Sequence, residues 1–552
     1  MNSYTIRTFR GGISDENNKG ISGSFKFGYG LDVRGRKDVL TCGQALVKES
    51  GVVVTDLINF IIPCSDGNAY LFGNSGKIYK RKGTTYTLEY TDANGAIIGA
   101  NEWNGYLYWA CDTEISRIAV ADADSSDWAS DVAHNWDTTL TSADWHTMII
   151  ACGDLMICND KFIALIDYSL AAFNNEALNL YPGNIAKTLD EDGFNLIIGT
   201  VDSGDNEKGY LLTWETSALN WIKKKKIPSK GINALITTEA MFAQAGVDGE
   251  VWFSNMVERI PLFKFPGGGY VLPGGVCEKN GLAMFGVHGN SSDKCGVYSY
   301  GRTKKNSSLI LNLEYVGSHG KITGVEYGAI QMVAGTLLVS WRDTGTITMT
   351  IANPCVVTWT AHGLTTATPI LFTTTGALPT GITASTYYYI RVIDANTFNL
   401  YDTAAHATAG GATGRITTTG TQSGVHTASI YGVDALSATI KANGVYESLE
   451  WDGGYPMMTK HFKKTKIVME PLVSGCSIVL KYKINGASSW TTAKTVDGNS
   501  SFSTADAVRA LFNLTAEGEI IEIRVELTSS ANDSPLIKSV NTYFDIPPRA
   551  DV

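Results

Sequence analysis

The chain has 552 residues, 44% of them hydrophobic, 10% aromatic and 18% charged, with a formal net charge of −10. Disorder needs low hydrophobicity and high net charge, so this composition excludes a disordered chain. It also argues against a protein that grips nucleic acid by its phosphates, which usually carries a positive surplus, though not against one that surrounds DNA without gripping it.

At roughly 100–200 residues per domain, the length suggests about three domains. The 57 glycines against 14 prolines, without a collagen period, read as many tight turns between short strands. The nine cysteines (Cys42, Cys64, Cys111, Cys152, Cys158, Cys277, Cys295, Cys355 and Cys476) are odd in number, widely spaced and free of any CxxC pair. They make neither a disulfide framework nor a zinc knuckle, and they fit assembly in a reducing cytosol. The start, Met1 to Arg7, has no apolar signal region, and no run of 18 apolar residues predicts a membrane span.

Along the first 343 residues one unit recurs: a turn with Gly or Asn, then a short strand rich in Leu, Val, Tyr and Trp. Its copies begin at Asn68, Gly105, Gly153, Gly209, Gly249, Gly296 and Gly335, in steps of 37, 48, 56, 40, 47 and 39 residues. Many follow another apolar strand, such as Phe60–Ile62, Met148–Ile150, Leu196–Ile198 and Ala234–Ile236. A four-stranded propeller blade takes roughly 40–50 residues, so the spacing predicts a seven-bladed β-propeller. The bland alternative is an irregular array of β-sandwiches. The recurring WD dipeptide pattern, the paired-Gly kelch pattern and the sialidase box are all missing.

The seventh unit ends near Asp343. The text is then Thr-rich to His426, and the earlier style resumes at Ser429. This predicts a small β-module, 344–426, inserted into a hairpin of the last blade, where a loop tip tolerates a whole domain. From Asn443, clean alternation such as Ile521 to Leu527 predicts one wet and one buried face, hence a C-terminal β-sandwich of jelly-roll or immunoglobulin-like type. The expected organisation is an N-terminal arm and first strands over 1–50, a propeller over 51–343 plus 427–442, the insert over 344–426 and the sandwich over 443–552.

Chemistry is sparse. His134, His146, His288, His319, His362, His406, His426 and His461 form no HxH or HExxH spacing. The acid-rich stretches Asp122–Asp127, Asp190–Asp192 and Asp202–Glu207 do not follow EF-hand ligand order and read as turns. There is no GxSxG elbow or P-loop. The lysine run Lys223 to Lys226 reads as an exposed loop or strand edge. The expectation is therefore a non-enzyme with no catalytic, cofactor-binding or metal residues. A glycan-degrading activity, needing two carboxylates at about 5–9.5 Å, stays open among 54 acidic residues.

Two segments resemble known families. Within the insert, Ala361–Leu364, Thr375–Pro379, Thr386–Arg391 and Asn396–Leu400 resemble a small module of phage tail proteins. That module is named FCCH-like after a catalytic-cysteine half-domain of ubiquitin-activating enzymes. The resemblance implies no ubiquitin chemistry, since Cys355 has no activating base near it in sequence. The opening, Phe9 to Ser14 followed by Gly30 to Arg34, resembles phage tail nozzle proteins, also called tail tubular protein B. This second resemblance implies a homo-oligomeric ring, with a hexamer as the candidate, in the virion tail after assembly in the host cytoplasm. It also implies adaptor and fibre proteins as partners, and DNA passing through without sequence-specific binding. The alternatives are a receptor-binding adhesin at the tail tip or virion surface and, with least weight, the glycan-degrading tail enzyme.

Overall fold

The computed structural model describes residues 2–14, 23–35, 38–51, 53–124, 128–134, 139–169, 173–181, 183–204, 208–289, 294–302, 307–499, 501–504 and 506–547. Asp127 and Glu207, at the ends of two acid-rich stretches, lie outside the described residues.

The protein is a seven-bladed β-propeller with an inserted β-module and a β-sandwich. Blade 1 runs from its inner to its outer strand as Ile58–Pro63, Ala69–Gly73, Lys77–Lys82 and Thr85–Thr91. Blade 2 follows as Ile97–Trp103, Tyr106–Cys111, Glu114–Ala119 and Ala133–His134, and blade 3 as Met148–Ala151, Asp154–Asn159, Phe162–Ile166 and Phe173–Asn179. Blade 4 is Asn184–Glu191, Leu196–Asp202, Gly209–Trp214 and Lys223–Ile227; blade 5 is Ile232–Thr237, Met241–Ala245, Glu250–Ser254 and Arg259–Lys264. Blade 6 is Tyr270–Lys279, Leu282–His288, Gly296–Arg302 and Leu309–Tyr315. Blade 7 takes Val325–Val333, Thr336–Met349 and His426–Lys441 from late in the chain and its outer strand, Gln44–Lys48, from the beginning.

Each inner strand lies against the next, and that of blade 7 against that of blade 1, so the ring is closed. A separate apolar cluster fills each of the seven spaces between neighbouring blades. Trp109, Trp214, Tyr70, Tyr79, Tyr108, Tyr298 and Tyr327 are among the fully buried large side chains, so the aromatic positions of the repeat pack between blades. Blade 7 thus joins an early strand to late ones, and Glu49, just after Gln44–Lys48, ties it to blade 1. Its carboxylate accepts from Arg81 Nε (2.7 Å) and Nη2 (2.9 Å) and from the Tyr86 hydroxyl (2.7 Å), all on blade 1.

The repeat predicted from sequence mixes two positions in the blade. Its copies at 68, 105, 153 and 335 lead into second strands, whereas those at 209, 249 and 296 lead into third strands. The long step of 56 residues, from 153 to 209, is where this register changes. The physical reason is that the third strands of blades 4 and 6 are nearly as buried as second strands, and that of blade 5 carries a Val-Trp-Phe run after its turn. Both therefore read as apolar runs after a turn.

Near the axis three blades meet through glycines. A Cβ on Gly274 of blade 6 would stand 2.0 Å from the Asn59 carbonyl oxygen, and one on Gly328 of blade 7 would stand 2.2 Å from that of Ile58. Both obstacles are backbone of blade 1 and cannot swing away. Gly274→Ala is therefore expected to destabilise the propeller by roughly 2–3 kcal/mol through overpacking. Thermal unfolding checks this, and an unchanged or raised midpoint contradicts it.

The sandwich joins both ends of the chain. One sheet has the order Asn2–Ile6, Ile537–Asp545, Lys460–Met469 and Arg509–Gly518. The other has Phe27–Tyr29, Gly444–Glu447, Ile521–Thr528, Ser477–Ile484 and Thr491–Asp497, and it continues into blade 6 where Tyr29 pairs with Leu313. Between them lie residues such as Phe9, Phe25, Phe462, Ile523, Val525 and Phe544.

The long strands Thr336–Met349 and His426–Lys441 stay paired from Leu338 with Ala435 to Ile347 with His426, carrying the hairpin out of blade 7. On its end stand Val356–Thr358, Thr397–Tyr401, Tyr388–Val392 and Pro369–Thr374, with a short helix, Ala404–Ala409, capped by the Thr403 side chain. The apolar core of these strands is continuous with that of blade 7.

Candidate functional site

Charge is distributed unevenly around the propeller. Residues 92–160, the region of blades 2 and 3, contain twelve Asp and Glu against one Arg and no Lys. Asp112, Asp122, Asp124, Asp131 and Asp144 are exposed there, although Asp124 pairs with Lys80 and Lys82 of blade 1. Residues 221–230 carry five lysines and no acid.

Lys223 to Lys226 form the outer edge strand of blade 4, as expected of a run that blunts edge pairing. Lys224 lies 3.8 Å from the Tyr210 ring centre and donates to Asn184 Oδ1, while Lys225 and Arg259 tie the outer strands of blades 4 and 5 together through the carbonyls of Val257 and Lys226. Leu219 (93% exposed) and Val257 (71% exposed) lie in the turns that precede the outer strands of blades 4 and 5. The outer edge strand of blade 4 is thus basic. Blade 4 adjoins blade 3 in the ring, so the basic edge and the acidic sector lie on neighbouring blades.

Two constellations have the composition of reactive sites without the geometry. In blade 2, Asp92, Glu114 and His134 bring their ligand atoms within 4.8 Å of one another. Asp92 already accepts from the Trp109 indole (2.8 Å) and from Asn94 N and Nδ2 (both 3.0 Å). Glu114 accepts from Asn94 Nδ2 (2.7 Å), and His134 contacts Ser116 (2.8 Å) and Glu114 (2.5 Å) through Nδ1. The group ties the loop after blade 1 to blade 2, and a cation would have to displace those bonds.

At the base of the insert, Ser318, His319 and Asp434 meet beside a cleft of about 420 Å³ lined also by Lys48, Trp341 and residues 363–369. Ser318 donates its hydroxyl to Asp434 Oδ1 (2.8 Å), and His319 Nδ1 accepts the Lys321 backbone N–H (3.0 Å). The imidazole that would activate a serine is therefore already committed. Burial, with Lys321 nearby, also pushes the His319 pKa down to about 3, making it a feeble base.

This buried imidazole has a consequence for stability. Above pH 6.5, His319 is neutral in both the folded and the unfolded chain. Between about 6.5 and 3 only the unfolded chain takes up the proton, so stability falls on acidification. The loss reaches on the order of 4 kcal/mol at the acid end. A His319→Gln variant is expected to lose less stability between pH 7 and pH 4 than the parent in parallel urea titrations. Parallel slopes in the two proteins contradict the assignment.

The sequence pattern showed the lysine run but not the acidic sector, because the acidic residues are spread over some seventy positions. Of the other residues singled out, Cys355 is fully buried in the insert, with its thiol pKa raised by burial, and His362 is buried against Phe398. All nine cysteines are free, and eight are buried. Among the described residues no helix is long and apolar enough to cross a membrane.

No family model matches the sequence, and no curated protein matches it. Among solved structures, the chain is similar to the WD40 β-propeller domain of Doa1, at 14% identity over 54% of this chain and 94% of that one, with a TM-score of 0.37. It is also similar to the extracellular domain of the putative one-component system BT4673 from B. thetaiotaomicron, at 12% identity over 65% of this chain and 53% of that one, with a TM-score of 0.41.

Proposed function

We propose that this chain is a structural subunit of a tailed-phage virion, a tail nozzle or tube protein whose copies form a closed ring through which DNA passes. The observation that carries this reading is the basic outer edge strand of blade 4 set against the acidic sector of blades 2 and 3. A basic edge strand and an acidic sector on one ring are surfaces of opposite sign through which one copy can dock on the next. Heterologous contacts of that kind close into rings when the rotation allows. The opening from Phe9 to Ser14 and the insert motifs, which resemble phage tail proteins, support the same reading.

On this reading the protein carries out no reaction and acts in the virion tail after assembly in the host cytoplasm. The acidic surplus keeps passing phosphates from adhering. The insert, held out on the long hairpin of blade 7, is the part placed to meet adaptor or fibre proteins. Sedimentation velocity over a range of protein concentrations tests the proposal. Discrete oligomers that dissociate as salt rises are expected, and a monomer at every concentration and ionic strength contradicts it.

A further inference from the structure

The second candidate surface lies on the sandwich, away from the propeller rim. A concavity of about 520 Å³ is lined by Lys464, Lys466, Lys494, Arg509, Phe502, Leu511 and Tyr543, with no carboxylate among the lining residues. Register explains the cluster. Lys464 lies opposite Tyr543 and Lys466 opposite Asn541 and Leu511, so all of these share the outer face of one sheet. Arg509 extends the row on the adjacent strand, and Lys494 reaches in from the edge of the other sheet.

Several other cations of the sandwich are neutralised, Lys463 by Asp545, Lys481 by Glu526, Lys538 by Glu470, and Arg524 by Glu447 and Glu526, while Lys460 is held by backbone carbonyls and Lys483 lies over the Trp490 ring. Among the described residues, none of the four cations of the concavity has an ion-pair partner. Like charges on neighbouring strand positions repel, and in a chain of net charge −10 such a cluster stands out as a place for an external anion.

We infer that this concavity binds an anionic sugar unit, one carrying phosphate or carboxylate groups close together, as on an acidic surface polysaccharide. Its volume falls in the range of small-ligand sites. The four cations supply charge-assisted donors, and the exposed Leu511 and the edges of Tyr543 and Phe502 supply apolar contact for the ring. The alternative of stacked nucleic-acid bases is disfavoured by the aromatic faces themselves. Lys464 Nζ stands 5.6 Å from the Tyr543 ring centre and Lys494 Nζ 5.7 Å from that of Phe502, so cations cover those rings. A duplex track would need a longer row of cations than one concavity offers.

Calorimetric titration of the full chain tests the inference with four probes: a sugar bisphosphate, a uronate oligosaccharide, a neutral oligosaccharide of the same length and a short DNA duplex. Saturable binding of one or both charged sugars, and none of the neutral one, is expected. The bisphosphate and uronate arms distinguish phosphate from carboxylate as the recognised group. The double variant Lys464→Gln with Lys466→Gln, and Arg509→Gln alone, are each expected to weaken binding about tenfold or more while leaving the melting curve unchanged. The inference is overturned if neither charged sugar binds, if the folded variants bind as well as the parent, or if the duplex binds more tightly than both sugars through the same residues. Because the readout is ligand binding and not self-association, its failure leaves the ring proposal untouched.

Discussion

Deleting residues 1–48 is expected to abolish the folded state instead of trimming a dispensable arm. The segment supplies an edge strand of one sandwich sheet, a strand between blade 6 and the other sandwich sheet, and the outer strand of blade 7. It buries Phe9, Phe25, Leu31, Val33, Leu40 and Leu46. At about 1.5–3 kcal/mol per buried apolar side chain, their loss equals or exceeds the roughly 5–15 kcal/mol that stabilises a typical domain. The truncated chain should show no cooperative thermal transition by circular dichroism. Co-expression of the missing segment should restore one, since the strand contacts need no covalent link. A soluble truncated protein that melts within a few degrees of the parent contradicts the closure described here.

Reversing charge on the blade 4 edge should have the largest effect on assembly. Lys223 and Lys226 are exposed, so Lys223→Glu with Lys226→Glu should leave the monomer folded. It should weaken self-association about a hundredfold, because like charges brought together across an interface cost several kcal/mol. The reciprocal change, Asp112→Lys with Asp144→Lys, should do the same. Mixing the two variants should recover association, since the altered edge of one then meets the altered sector of the other. Oligomers of the parent size in the lysine variant, measured by sedimentation, contradict the charge pairing.

The all-β class, the seven-bladed propeller, the inserted module and the sandwich were legible because apolar strands between glycine turns leave a strong local pattern. The register within blades 4, 5 and 6 was not legible, since the third strands there are apolar runs after a glycine turn, as second strands are in the other blades. Nor was the destination of the first residues. Nothing local in Gln44–Lys48 says that it pairs with Asp434, Ala435 and Leu436 nearly four hundred positions away, or that Asn2–Ile6 pairs with Val540 to Phe544. Such contacts are set by chain closure, which local periodicity does not encode. The cationic concavity was hidden for the same reason, because Lys464, Lys494 and Arg509 come from three different strands.

The most direct test of the ring is single-particle imaging of the purified full-length chain at high concentration. Closed rings with an opening wide enough for duplex DNA are expected, in which the outer edge strand of blade 4 of one copy faces blades 2 and 3 of the next. Isolated monomers, or assemblies in which those two surfaces never meet, would contradict it.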